Sequence, residues 1–233
     1  MSILNVENLY KNYGSVKALK NVSFSVPAGS VFGILGPNGS GKTTLLGIIM
    51  DVLKATKGSY RLFDKEPTAD QRKQIGTLLE TPNFYHYLSA QRNLEIAAAI
   101  KGQDVSDIPR VLEIVNLTQR KDSKFSTYSL GMKQRLAIAS CLLGDPHVMV
   151  FDEPTNGLDP VGIAEIRELI KKLYHQGKTI IMASHLLDEV EKVCTHVAIL
   201  KKGELITSGD VNEILANEDI VEIGSDDNQK LLL

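Results

Sequence analysis

Hydrophobic and polar positions along this chain predict alternating strands and helices. Apolar, β-type runs predict strands near both ends of the chain, and apolar positions that repeat every three or four residues predict helices between them. Such alternation is typical of an α/β fold whose mostly parallel sheet is covered by helices. The predicted strands are 3–9, 17–26, 31–35, 75–79, 148–151 and 179–183, with a hairpin of 197–200 and 204–207. The predicted helices among them are 44–50, 161–175 and 187–194.

Between two strand-rich parts of the chain the pattern becomes helical. Ser89 is a suitable N-cap for a helix through residue 100. A second helix is predicted at 107–115, with Pro109 in its first turn, where a missing N–H is harmless. Helix is predicted again at 130–143. We therefore predict a helical lobe inserted at about 85–128.

Composition narrows the class of protein. The 233 residues are 43% hydrophobic and 23% charged, which suits a globular enzyme, and a net charge of −2 gives no sign of a nucleic-acid partner. Cys141 and Cys194 lie far apart without metal-type spacing, which favours buried thiols in a reducing compartment. No apolar stretch approaches the roughly 18 residues that span a bilayer, and residues 1–5 do not read as a signal peptide. We expect a cytoplasmic protein that reaches a membrane only through a partner.

A phosphate-binding loop is the strongest local signal. Residues 36–43, hereafter the phosphate loop, fit the pattern G-x-x-x-x-G-K-[ST] between a predicted strand and a predicted helix. Glycines let backbone N–H groups surround a phosphate, and the helix start adds donors and positive potential. Lys42 would reach the β- and γ-phosphates, and the Thr43 hydroxyl would ligate Mg²⁺. The loop consists of Gly36, Pro37, Asn38, Gly39, Ser40, Gly41, Lys42 and Thr43.

Two carboxylates provide the second signal. Asp152 and Glu153 follow the apolar strand 148–151, and ligands of open α/β sheets bind at the carboxyl ends of strands. Asp152 would hold Mg²⁺ and Glu153 would orient or deprotonate the attacking water. Taken alone, such a pair is more often a helix cap or a solvated turn. Together with the phosphate loop it predicts a nucleotide hydrolase.

Further motifs identify the kind of hydrolase. Three motifs lie before or after the two carboxylates. They are Tyr-Ser-Leu-Gly-Met-Lys-Gln at 128–134, Pro-Thr-Asn-Gly-Leu-Asp at 154–159 and Ala-Ser-His at 183–185. This set resembles the ATP-binding subunit of ABC transporters over essentially the whole chain. The resemblance implies a P-loop NTPase core with an antiparallel β subdomain and a helical lobe, and hydrolysis of MgATP in a two-site dimer. It also implies one domain, with the core at 1–84 and 129–217.

Residue roles follow from the resemblance, position by position. Glu153 matches the catalytic glutamate and His185 the switch histidine, and Lys42 is the third implied catalytic residue. Asp159 matches the dimer-switch aspartate of the D-loop. Ser129 and Gly131 match the signature motif that completes the partner's ATP site. Tyr13 falls just after the first predicted strand, where the family stacks an aromatic ring on adenine. Thr44, after the phosphate loop, belongs to the implied nucleotide-binding set.

The physics of the signature agrees with a dimer. A phosphate loop leaves one side of the nucleotide open, and a second helix start near Ser129 could close it. Two elements that flank the same sheet cannot easily face each other within one chain. A twofold dimer solves this, as a homodimer or as a heterodimer with a related ATPase.

Two positions depart from the family pattern. Leu130 replaces a glycine of the usual L-S-G-G-Q signature, while Ser129 and Gly131 are kept. Glu80 stands where the family has a glutamine that senses Mg²⁺ and couples to the membrane subunit. Glu80 would either contact the metal or the water, or turn away and bond the partner. Both departures resemble the ATPases of bacitracin-resistance and lantibiotic-immunity exporters.

The aromatic loop after Glu80 is a candidate coupling site. Phe84, Tyr85 and Tyr87 lie where family members receive a short helix of a polytopic membrane subunit, which would hold the chain at the inner face of the membrane. Local core packing is the alternative explanation. The remaining functional alternatives are a soluble relative acting in translation or DNA repair and a small-molecule kinase. We also interpret the tail, 218–233, as the possible start of a truncated element.

Overall fold

The computed structural model describes residues 2–79 and 83–216. Glu80 and the tail, 218–233, lie outside this part of the chain. The described strands are β1 Ser2–Tyr13, β2 Val16–Pro27, β3 Val31–Leu35, β4 Lys57–Leu62, β5 Ile75–Leu78, β6 Val148–Asp152, β7 Thr179–Ser184, β8 His196–Lys201 and β9 Glu204–Asp210. The described helices are α1 Lys42–Ile49, α2 Ala69–Arg72, α3 Ala90–Lys101, α4 Ile108–Ile114, α5 Leu130–Leu142, α6 Pro160–His175, α7 Leu187–Val193 and α8 Val211–Ala216.

The chain divides into two compact units. One consists of the described residues up to 67 and from 181 onward, and the other of residues 68–180. The predicted helical lobe, 85–128, falls entirely within the second unit. The strand β7 contains the position at which the two units divide.

In the first unit, β1 lies between β2 and β4 in an antiparallel sheet. Strands β1 and β2 are longer than the sequence predicts, and β4 was not predicted. Its residues are exposed at the first three positions, and only Leu62 at its end is buried. Because β4 buries so little, its sequence lacks the alternation that identifies a half-buried strand.

The same unit also holds the strand that leads into the phosphate loop. All five residues of β3 are buried, as expected for a parallel strand covered on both faces. Strand β3 pairs in parallel with β8, and β8 pairs antiparallel with β9 as the predicted hairpin. A β-carbon built at Gly33 would lie 3.0 Å from Val190 of α7, so this helix packs tightly on β3.

The second unit combines a parallel strand pair with the helices of the lobe. Strands β5 and β6 pair in register from Ile75 with Val148 to Leu78 with Phe151. Helix α3 begins as predicted: the Ser89 hydroxyl accepts a hydrogen bond from Arg92 N at 3.2 Å. The helices predicted in this unit and the predicted α/β class are confirmed by these elements. Among the described residues, no helix is both long enough and apolar enough to cross a membrane.

Candidate functional site

The phosphate loop joins β3 to α1 with the backbone that a phosphate cradle needs. Gly39 and Gly41 have φ angles of +78° and +107°, which non-glycine residues rarely adopt. Gly41 is the N-cap of α1, and within the described ranges no side chain caps this helix. The positive end of the helix dipole therefore lies at the phosphate loop.

Lys42 is folded over the loop itself. Its side chain is buried, and Nζ donates to the carbonyls of Gly36 at 2.7 Å and Pro37 at 3.3 Å. The neighbouring Thr43 is exposed. The cation is thus held at the loop, and a hydroxyl is accessible at the first turn of α1. This arrangement suits an anionic ligand with an associated metal ion.

A buried hydroxyl lies beneath the loop. Ser40 is 2% exposed, and its Oγ finds no hydrogen-bond partner in residues 2–79 and 83–216. A β-carbon built at Gly36 would lie 2.6 Å from this oxygen, so only glycine fits above it. An unsatisfied buried hydroxyl costs about 1–3 kcal/mol. The backbone N–H groups of the loop fit a phosphate group.

His185 lies beside the phosphate loop in the same unit. The N–H of Gly36 donates to the carbonyl of Ser184 at 3.2 Å, which joins the start of the loop to the end of β7. His185 is the next residue and is exposed. The Ser184 hydroxyl accepts a hydrogen bond from Leu186 N at 3.0 Å and shapes this turn. The structure thus brings together the loop and the histidine that were predicted separately.

Tyr13 is placed slightly differently from the prediction. It is the last residue of β1 rather than a residue after the strand, because its pairing with Val16 continues the ladder to the end of the hairpin. Its side chain is 46% exposed, and Lys11 Nζ lies 4.9 Å from its ring centroid. One ring face therefore meets a cation, and the ring has surface left for stacking.

The two carboxylates lie at the end of β6 in the second unit. Asp152 is the last strand residue and is 4% exposed. Glu153 follows in a left-handed conformation with a φ of +49°, which is uncommon for a glutamate. Its carbonyl accepts a hydrogen bond from Asn156 N at 3.1 Å, closing a turn directly after the strand. This turn directs the chain away from the path of the strand.

The signature serine and the D-loop aspartate both cap helices. Ser129 Oγ accepts from Met132 N at 3.2 Å at the start of α5, and Asp159 Oδ1 accepts from Gly162 N at 2.9 Å at the start of α6. The two helix starts are neighbours, because a β-carbon built at Gly131 would lie 3.9 Å from Gly162 Cα.

Leu130, the departure from the family signature, lies at these helix starts. Its side chain is 50% exposed, and a β-carbon built at Gly157 would lie 3.4 Å from its Cδ2 atom. Leu130 therefore offers apolar surface between the signature and the turn that precedes Asp159.

The aromatic loop combines packed and exposed rings. Phe84 is half-buried with its ring centroid 5.2 Å from that of Phe125, whereas Tyr85 and Tyr87 contact each other and are 51% and 68% exposed. Sequence reasoning missed Asn93, whose buried amide accepts from Tyr85 N at 2.8 Å and donates to Tyr85 O at 3.1 Å. A signal was present, since Asn93 lies one helical turn after Ala90 on the buried face of α3.

The aromatic loop also connects to the segment that precedes Ser129. Ser126 N donates to the carbonyl of His86 at 3.0 Å, and Phe125 N donates to that of Leu88 at 2.9 Å. The Phe125 ring lies 6.1 Å from that of Tyr128, which immediately precedes Ser129. The aromatic loop and the signature therefore belong to one packed cluster of the second unit.

Comparison with known proteins identifies the same family. A family model described as ABC transporter matches residues 19–156. The bacitracin transport ATP-binding protein BcrA of Enterococcus faecalis is 39% identical over 217 residues, which cover 91% of this chain and 70% of the relative. The lantibiotic transport ATP-binding protein SrtF of Streptococcus pyogenes is 38% identical over 204 residues, covering 88% of this chain and 89% of the relative.

Solved structures agree. CbiO1 from Clostridium perfringens, part of the ABC transporter complex cbiONQ, superposes with a TM-score of 0.84 at 31% identity and covers 93% of this chain and 91% of that one. The ATP-binding cassette MJ0796 was solved as a dimer in a post-hydrolysis state with ADP and Pi. It superposes with a TM-score of 0.77 at 27% identity and covers 89% of this chain and 98% of that one. The resemblance drawn from the motifs is confirmed, and the soluble alternative is not favoured. This chain belongs to the ABC transporter family, as one of its ATP-hydrolysing subunits.

Proposed function

We propose that this chain powers an exporter of peptide antibiotics, drugs or similar cargo. The single observation that carries the site assignment is the phosphate loop, in which Lys42, the uncapped start of α1 and the end of β7 converge. The exporter assignment is supported by the names of two relatives, BcrA and SrtF, which are bacitracin and lantibiotic transport proteins.

Nucleotide binding is assigned to the first unit. On binding, the Lys42 ammonium exchanges the carbonyls of Gly36 and Pro37 for phosphate oxygens, and so gains a charged partner in place of neutral ones. The exposed ring of Tyr13 stacks on adenine. The other contacts come from Asn38, Gly39, Ser40, Gly41, Thr43 and Thr44.

Hydrolysis is assigned to Glu153 and His185. Glu153 accepts a proton from the attacking water, and His185 donates a hydrogen bond to the γ-phosphate and positions that water. Mg²⁺, when bound, would supply positive charge that offsets the negative charge of the phosphates. Thr43 and Asp152 are its proposed ligands, and Glu80, the third candidate, lies outside the described residues.

A second subunit completes each site. The starts of α5 and α6 are neighbours, and Ser129, Gly131 and Asp159 occupy them. Helix starts with exposed surface beside them suit the γ-phosphate bound by another subunit. The partner is a second copy of this chain or a related ATPase. Binding of ATP closes the dimer, and hydrolysis reopens it.

The membrane partner is proposed to dock on the aromatic loop. The exposed pair of Tyr85 and Tyr87 offers ring surface, and the Asn93 amide holds the backbone beneath it. The chain would then lie at the inner face of the cell membrane, held by a polytopic subunit that also selects the cargo. Through Phe84 and Phe125, movement of this loop would reach the signature.

A pull-down from native membranes tests this proposal. The Glu153→Gln variant binds MgATP without turning it over quickly, and it should therefore retain its partners in the closed state. We expect a polytopic membrane protein to be captured in the presence of MgATP. The Lys42→Ala, Glu153→Gln double variant is the matched control and should lose the ATP-dependent part of the capture. Capture of ribosomes or of nucleic acid in place of a membrane protein would contradict the exporter assignment.

A further inference from the structure

The β8–β9 hairpin and its turn contact the phosphate loop. Gly203, in this turn, donates from its N–H to the carbonyl of Ser40 at 3.0 Å. Its own carbonyl accepts a hydrogen bond from Lys20 N of β2 at 2.7 Å. One residue of the turn thus bonds the loop on one side and β2 on the other.

No side chain fits at Gly203. A β-carbon built there would lie 2.7 Å from the Ala18 carbonyl oxygen and 3.0 Å from its carbon. Both are backbone atoms of β2 and cannot rotate away. The same oxygen would lie 2.7 Å from a β-carbon at Gly41, the residue that starts α1. The Ala18 peptide is therefore enclosed between the hairpin turn and the end of the phosphate loop.

The hairpin also meets the beginning of the loop. The carbonyl of Leu200, near the end of β8, contacts Gly36 so closely that a β-carbon at Gly36 would collide with it. The hairpin therefore contacts the phosphate loop at its first residue, Gly36, and again at Ser40.

We propose that the β8–β9 turn sets the spacing between Gly36 and Ser40 in the phosphate loop, with Gly203 as a positioning residue for nucleotide binding. Gly203 does not touch the nucleotide. It acts through the Ser40 carbonyl and the Ala18 peptide, which fix where the loop N–H groups and the start of α1 lie. The inference rests on the proposed assignment of residues 36–43 to ATP binding. A loop misplaced by a fraction of an ångström loses pre-organised donors and binds its ligand less tightly.

Gly203→Ala, with Gly177→Ala as its control, tests the proposal on the full chain. Both glycines have a φ of +83°, so alanine introduces the same backbone strain at each. At Gly177, unlike Gly203, a β-carbon would have no neighbour within 4 Å among the described residues. The readouts are the melting temperature, the Kd for the fluorescent nucleotide mant-ADP with Mg²⁺, and KM and kcat for ATP.

We expect Gly203→Ala to raise the nucleotide Kd and KM by about ten-fold relative to Gly177→Ala. A merely structural role would lower the melting temperature and leave the Kd of the folded protein unchanged. Equal Kd values for the two variants would overturn the proposal. Lys42→Ala separates this failure from a failure of the site assignment, because it must weaken binding if the loop holds the phosphates.

Glu204→Ala tests the positioning role of the β8–β9 turn if Gly203→Ala does not fold. Glu204 Oε1 lies 3.1 Å from Lys20 Nζ and helps to hold the turn against β2. Loss of a negative charge near the loop should by itself favour an anionic nucleotide. The positioning role predicts the opposite, a Kd raised by about two-fold, in keeping with the small energy of an exposed ion pair. Unchanged or tighter binding would overturn the proposal.

Discussion

Replacing Ser129 with alanine separates the structural role of this serine from its proposed role in the partner's ATP site. Ser129 Oγ accepts a hydrogen bond from Met132 N at 3.2 Å, with backbone angles of −63° and 164°. Ser89 caps α3 with the same 3.2 Å distance and with angles of −69° and 165°. The two serines are thus matched caps, and only Ser129 is expected to meet a nucleotide.

The stability cost should therefore be the same at both positions. Loss of a serine cap costs about 1 kcal/mol, and for a chain of this size that lowers the melting temperature by about 2–4 °C. The effect on hydrolysis should differ. Loss of a donor that stabilises charge in the transition state costs about 10²-fold in kcat, and we expect this for Ser129→Ala but not for Ser89→Ala.

Differential scanning fluorimetry and steady-state phosphate release measure the two effects. Ser129→Asp adds a third comparison, because aspartate caps a helix well but opposes an anionic phosphate. We expect it to melt at or above the wild-type temperature and to hydrolyse ATP no faster than Ser129→Ala. Equal ATPase rates for Ser129→Ala and Ser89→Ala would refute the signature assignment. An unchanged melting temperature in Ser129→Ala would refute the cap argument.

Three further predictions concern an ion pair, two buried thiols and an exposed aromatic ring. The hydrogen bond and charge of Lys178 hold the pKa of Asp145 below its ordinary 3.8, so this pair stabilises the fold above that pH and the benefit is lost as pH falls through the lower folded value. Asp145 is exposed, so Asp145→Asn should lower the free energy of unfolding by no more than about 1 kcal/mol at pH 7 in urea titrations. The difference from wild type should vanish below the folded pKa. Burial raises the pKa of Cys141 to about 11 and that of Cys194 to about 12. Neither thiol should therefore react with a maleimide at pH 7 until the protein unfolds. Rapid labelling of the folded protein would contradict this burial. Tyr85→Ala should abolish transport and leave the basal ATPase rate unchanged, because the Tyr85 ring is exposed. A lower melting temperature together with the loss of transport would instead indicate that the ring serves local packing.

The sequence predicts best where pattern and chemistry coincide. Strand β3, the phosphate loop and α1 follow one another as expected, because a continuous apolar run and a glycine motif mark that junction. The sequence could not show the left-handed backbone of Glu153, since that conformation depends on the turn closed by Asn156. Nor could it show that Gly203 contacts Ser40 and Ala18, because these residues are far apart in the chain.

ATP turnover by the purified Glu153→Gln variant, measured beside its nucleotide affinity and its mass in solution, tests the central claim most directly. If Glu153 is the base of a two-site ATPase, the variant binds MgATP as tightly as the wild type and turns it over at least about 10²-fold more slowly. It also accumulates as a closed dimer with MgATP. Rapid turnover with Glu153 replaced, or tight binding without any ATP-dependent dimer, would contradict the account.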